Sequence, residues 1–105
     1  MADANCCANP SAQEPAFVYI VQCTDGTLYT GWAKDVAARV KVHNAGRGAR
    51  YTRARRPVRL RYWERHPDRA AAMRRERQLK TWKRARKLAL IASFEEREPS
   101  HAPDR

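Results

Sequence analysis

Apolar positions along this chain come in short runs, and the spacing within each run predicts what it builds. Phe17–Cys23, FVYIVQC, is rich in β-branched and aromatic residues and predicts a strand. Asp25-Gly26 supplies a turn, and Leu28–Gly31 a returning strand. Asp35 is a suitable N-cap for a helix over 36–45, with Gly46 as its stop. Val36 and Val40 form that helix's apolar stripe, with Arg39 and His43 beside it at the rim where helix meets sheet. The next run, GRGARYTRARRP, is poor in apolar residues and closes on Pro57, so an irregular loop is expected. Val58–Arg65 then sets Val58, Leu60, Tyr62 and Glu64 against Arg59, Arg61, Trp63 and Arg65, the alternation of a third strand. Pro67-Asp68 opens a second helix to about Trp82. A third, around Arg84–Phe94, carries Leu88, Ile91 and Ala92 at helical spacing.

These elements predict an α+β domain over 16–94, in the broad α/β class, with a small three-stranded antiparallel sheet flanked by about three helices. Residues 1–15 are small, polar and proline-bearing and are expected to be a disordered tail; 95–105 are expected to be frayed.

The first turn bears on function. A two-residue Asp25-Gly26 loop sets Tyr29 opposite Gln22, with Tyr19 and Tyr29 on opposite faces. A Thr24-Asp25-Gly26 loop, with Gly26 left-handed, sets Tyr29 opposite Val21, so both tyrosines share a face with Gly31. A shared site requires the second register, which is the one expected.

At 105 residues the chain has room for one modest core. Its longest apolar run is too short to cross a bilayer and no leader pattern opens it, so a cytoplasmic location without membrane contact is expected. Three cysteines without a Cys-x-x-Cys spacing argue against both a disulfide framework and zinc. Charge changes the picture most. Between Arg39 and Lys87, nineteen lysines and arginines stand against Glu64, Asp68 and Glu76 alone. Arginine dominates, and its planar fork suits phosphate, so nucleic acid is the expected partner, ahead of an anionic membrane. The plainer alternative is a charge that serves solubility only.

Against that background Glu76 is the anomaly, because it shares a helical stripe with Ala72 and Leu79. It is read either as the partner of Lys80 or another cation, or as a Mg²⁺ ligand in a phosphate site. Arg39 is a solvated arginine or a group that neutralises a phosphate oxygen. His43 is a helix-end histidine or a proton carrier, and Tyr19 and Tyr29 are strand aromatics or hydroxyls that orient water.

Taken together, the residues are more specific. Phe17-Val18-Tyr19, then Tyr29-Thr30-Gly31, then Asp35-x3-Arg39-x3-His43-x2-Gly46 and a late-helix Glu76 resemble the GIY-YIG nuclease family. The resemblance is closest to its small single-domain bacterial members, whose run after the helix is similar to GRGARYTR, and it covers roughly residues 17–91. Phe17 and Val18 depart from the usual Gly-Ile. Trp32-Ala33 replaces a basic or hydroxyl residue, leaving Lys34 as the nearest cation.

The resemblance implies phosphodiester hydrolysis with a single divalent metal, Mg²⁺ or Mn²⁺. Glu76 would hold the metal and Arg39 would stabilise the scissile phosphate. Tyr19 and Tyr29 would position or deprotonate water, either being the base, with His43 assisting; Gly31 would let the phosphate approach the backbone. Arg47, Arg50, Arg53, Arg55 and Arg56 would grip the nucleic-acid backbone, with Tyr51 for base stacking. Such contacts position a substrate without reading bases, which predicts a structure-selective endonuclease; DNA ahead of RNA, with repair or recombination as its setting, is what the resemblance alone implies. Two alternatives stand beside it: a non-catalytic nucleic-acid-binding module that keeps the fold, and a subunit whose protein partner supplies substrate recognition.

Overall fold

The computed structural model describes residues 14–97. The expected tails fall mostly outside those residues, as do Cys6 and Cys7. The elements are β1 (Ala16–Gln22), β2 (Leu28–Ala33), α1 (Val36–Asn44), α2 (Arg50–Arg53), β3 (Arg59–His66), α3 (Arg69–Lys80) and α4 (Arg84–Arg97). The strands form one antiparallel sheet in the order β2-β1-β3, the small α+β sheet expected, with four helices around it. The last helix runs to Arg97, three residues beyond the expected end.

The central strand β1 is buried from Ala16 to Val21, because both faces of the sheet are covered. Phe17, Tyr19 and Val21 face Val36 of α1 and Val58, while Val18 meets Ala72 and Leu79 of α3 and Ile20 meets Ile91 and Phe94 of α4. Fully burying a side chain such as Val18 or Ile20 contributes about 1.5–3 kcal/mol, so this strand anchors the domain. Asp35 and Asp68 cap α1 and α3 by accepting from the Ala38 and Ala71 amides at 3.0 and 2.9 Å. Such caps contribute about 1 kcal/mol each.

Between β1 and β2, Gly26 has φ +87° and Val21 pairs with Tyr29, so the three-residue turn holds and Tyr19, Tyr29 and Gly31 share a face. Two expectations need correction. The 46–57 run contains a short helix, α2, whose buried Thr52 ties it to α1. In addition, the alternation of β3 breaks at Arg61, because Leu60 pairs with Val21 but Tyr62 with Ile20. Arg61 is the extra residue of a β-bulge, so the face changes there. Leu60 and Trp63 pack on the α1 side, while Tyr62 turns to Phe94 at 5.2 Å between ring centroids.

Candidate active site

The candidate site lies at the edge strand β2, where α1 reaches one face and α3 the other. Tyr19 projects from the buried centre of β1 towards β2. Gly31, its cross-strand partner, makes room for it: a Cβ there would lie 2.7 Å from Tyr19 Cζ. The glycine thus accommodates the Tyr19 ring. Tyr19 is only 1% exposed, whereas Tyr29 is half-buried and lines a cleft of about 510 Å³ with Arg39, His43, Arg47 and Gly48. The two tyrosines are therefore not equivalent.

His43 was expected at the rim of α1 and is instead buried, at 1% exposure. Its ring packs edge-on against Tyr19 and Tyr29, at 6.0 and 5.5 Å. The Nε2 atom lies 3.0 Å from the Tyr19 hydroxyl and Nδ1 lies 2.8 Å from Thr52 Oγ1. Gly48 allows this burial, because a Cβ there would be 2.8 Å from His43 Cγ. Thr52 and Gly48 belong to the site although sequence reasoning passed over them. The family-like run GRGARYTR contains both and is the signal that covers them, but it does not single them out, because they meet His43 only once the 46–53 segment folds back over α1.

Burial raises the Tyr19 hydroxyl well above the ordinary tyrosine range, with the neighbouring Tyr29 adding to it and Arg39 opposing it; Glu76 acts in the raising direction. These influences place Arg39 and Glu76 within electrostatic reach of Tyr19. Burial, reinforced by the Arg39 charge, lowers His43. Tyr19 and His43 are accordingly a neutral phenol and a neutral imidazole near pH 7.

Glu76 keeps 18% of its side chain exposed and pairs with Lys80 at 3.1 Å. The Lys80 ammonium also sits 5.8 Å from the Tyr29 ring centre. Among the described residues no three His, Cys, Asp or Glu side chains gather into a cage for a metal ion. Glu76 is thus a single accessible carboxylate, and that fits Mg²⁺ or Mn²⁺, which bind through one or two carboxylates and complete their shell with water and substrate oxygens.

The surrounding cations divide. Arg39 lines two clefts, one with Tyr29, His43 and Arg47, the other with Trp32, Lys34 and Arg69. Lys34 reaches that second cleft and pairs with Glu14 at 3.1 Å. Arg50 and Arg53 lie exposed on α2. Arg56 folds back on its own loop, donating from Nε to the Arg53 carbonyl at 2.9 Å, and Arg55 pairs with Asp25 at 3.1 Å. Tyr51 is 39% exposed, but its ring stacks on Tyr29 at 6.0 Å and carries the Arg55 guanidinium at 4.1 Å. No helix among the described residues is long and apolar enough to cross a membrane.

Residues 15–89 match the family model described as the GIY-YIG catalytic domain. UPF0213 proteins of Staphylococcus aureus strains Mu3 and Mu50 are each 57% identical over 75 residues, spanning 71% of this chain and 92% of theirs. The solution NMR structure of a UPF0213 protein from Bacillus halodurans is 42% identical, with a TM-score of 0.49, covering 74% of this chain and 83% of that one.

Proposed function

The chain belongs to the GIY-YIG family, and on that premise we propose that it is a divalent-metal-dependent endonuclease that hydrolyses phosphodiester bonds in nucleic acid. The observation that supports this reading is that Tyr29, Arg39 and His43 line one cleft, with the buried Tyr19 hydroxyl held by His43 behind it and Arg39 and Glu76 both acting on Tyr19 electrostatically. Phosphodiester hydrolysis needs these parts: positive charge for the phosphate, a carboxylate for the metal and hydroxyls for the water.

Glu76, paired with Lys80 at 3.1 Å, is the residue that would hold Mg²⁺ or Mn²⁺, which would supply Lewis acidity to the scissile phosphate. Arg39 neutralises a non-bridging phosphate oxygen as charge builds in the transition state. Tyr29 lines the cleft, so it is the hydroxyl that orients the attacking water; to take the water's proton it would act as the phenolate, its own proton having first passed to solvent. Tyr19, beneath Gly31, does not meet the water; it supports Arg39 and is itself held by His43. Arg47 and Arg50 draw the backbone towards the cleft without reading bases, which favours a substrate chosen by structure over one chosen by sequence. DNA, a repair setting and a cytoplasmic location complete the reading, with a protein partner as a source of further selectivity.

The test is incubation with labelled single-stranded, nicked, flap and branched DNA in Mg²⁺, Mn²⁺ or EDTA, with binding measured on the same substrates. Metal-dependent cutting that Glu76→Ala and Arg39→Ala both lose supports the nuclease. No cutting in any condition, with Glu76→Ala binding as tightly as wild type, replaces it with the non-catalytic binding module.

A further inference from the structure

The 46–53 segment contributes more than a cover to the site. Thr52 is fully buried, and its hydroxyl has two neighbours: the Ala49 carbonyl at 2.9 Å and His43 Nδ1 at 2.8 Å. A hydroxyl carries one proton. The Ala49 carbonyl can only accept, so a hydroxyl that donates to it must itself accept from Nδ1. This requires a proton on Nδ1 of His43. A neutral imidazole then has none on Nε2, which becomes the acceptor for the Tyr19 hydroxyl at 3.0 Å. With its own proton turned towards His43, the Tyr19 oxygen leaves its lone pairs facing the Arg39 charge, which acts on it electrostatically.

We infer that Thr52 is a positioning residue that fixes the His43 tautomer and, through it, the direction of the Tyr19 hydroxyl. The chain of donors runs one way: Tyr19 to His43, His43 to Thr52, and Thr52 to the Ala49 carbonyl. Reversing the histidine tautomer breaks it at both ends. Nε2–H then donates to Tyr19, the Tyr19 proton turns away from the ring, and the Ala49 carbonyl keeps only its backbone donors, Thr52 and Arg53. The charged or titratable groups facing the ring are Tyr19, Tyr29, Arg39 and Arg47, and none of them supplies an acceptor that replaces Thr52 at Nδ1.

Thr52's catalytic consequence rests on the nuclease reading, but its effect on the tautomer does not, and the experiment separates the two. Nitrogen-15 shifts of the His43 ring are recorded in the free protein, without nucleic acid or metal, for wild type, Thr52→Ser and Thr52→Val. The three histidines are told apart with a His43→Gln control. Protonated Nδ1 and bare Nε2 are expected in wild type and Thr52→Ser, with a shift towards protonated Nε2 in Thr52→Val. Where the protein cleaves, Thr52→Val lowers kcat by about 10–100-fold with KM little changed, the usual scale for a second partner of a site histidine, and Thr52→Ser restores it. Protonated Nε2 in wild type overturns the inference, as does an unchanged tautomer in a folded Thr52→Val. If the valine variant does not fold, the wild-type and serine spectra decide. Inactivity with the expected tautomer rejects the nuclease reading alone.

Discussion

Glu64 on β3 and Glu76 on α3 are equally shielded from solvent, each with 18% of its side chain exposed, yet their surroundings are opposite. Glu64 is saturated. It accepts from the Tyr62 hydroxyl, from His66 Nε2 at 2.6 Å and from Arg75 Nε at 2.9 Å. Arg75 is in turn held by Gln78 at 2.8 Å and lies 5.2 Å from the Trp82 ring centre. Glu76 holds one partner, the flexible and half-exposed Lys80. Burial by itself raises Glu64, but the hydrogen bonds from Tyr62, His66 and Arg75 outweigh it and hold the carboxyl below the ordinary range. Shielding alone therefore does not distinguish the two carboxylates. Unused acceptor capacity separates Glu76 from Glu64, and the proposed metal role rests on it.

The comparison breaks if the two carboxylates can exchange roles. The largest expected effect is on cleavage. Glu76→Gln loses about 10²–10³-fold in kcat, comparable to removing a transition-state electrostatic partner, while its urea midpoint stays close to wild type. Glu64→Gln does the reverse. It loses about 2–3 kcal/mol of stability in urea titration, because Arg75 is left without its counter-charge, and the fraction that remains folded cuts normally.

Acid sharpens the contrast. The Glu64 carboxyl titrates lower in the folded chain than in the unfolded one. Its contribution is therefore complete above the ordinary glutamate value, about pH 4.3, and is lost as pH falls through the folded value. The stability gap between wild type and Glu64→Gln should narrow over that window. A gap that stays constant to pH 3 contradicts the network. The smallest effect is expected of Lys80→Gln, about 0.5 kcal/mol or less, as for other exposed i,i+4 pairs. Removing the cation that competes for Glu76 should also lower the Mg²⁺ concentration needed for half-maximal cleavage.

Much of this arrangement was legible in the sequence because it rests on local chemistry. Gly26 permits the left-handed turn that puts Tyr19 and Tyr29 on one face, and Asp35 and Asp68 mark the starts of α1 and α3 through their caps. The i,i+4 pair of Glu76 and Lys80 was likewise readable as one of two possibilities. What escaped depends on contacts between distant segments. The Arg61 bulge is invisible in an alternating run, since it arises from how β3 must pair with β1. His43 is buried only because Gly48 and Thr52 close over it, and a nine-residue helix seen alone gives no hint of that. Glu64 was placed on the strand's alternating pattern, but its saturation needed His66 and Arg75 to arrive from either end of the β3–α3 turn.

With one half-exposed partner Glu76 is the open carboxylate, and with three donors Glu64 is the closed one. Titrating Mn²⁺ into the free, isotopically labelled protein and following paramagnetic broadening of backbone amides tests that difference most directly. Resonances of Glu76 and of its partner Lys80 should broaden first and most, and Glu76→Gln should abolish the effect. Broadening that begins at Glu64, or that persists unchanged in Glu76→Gln, contradicts the account.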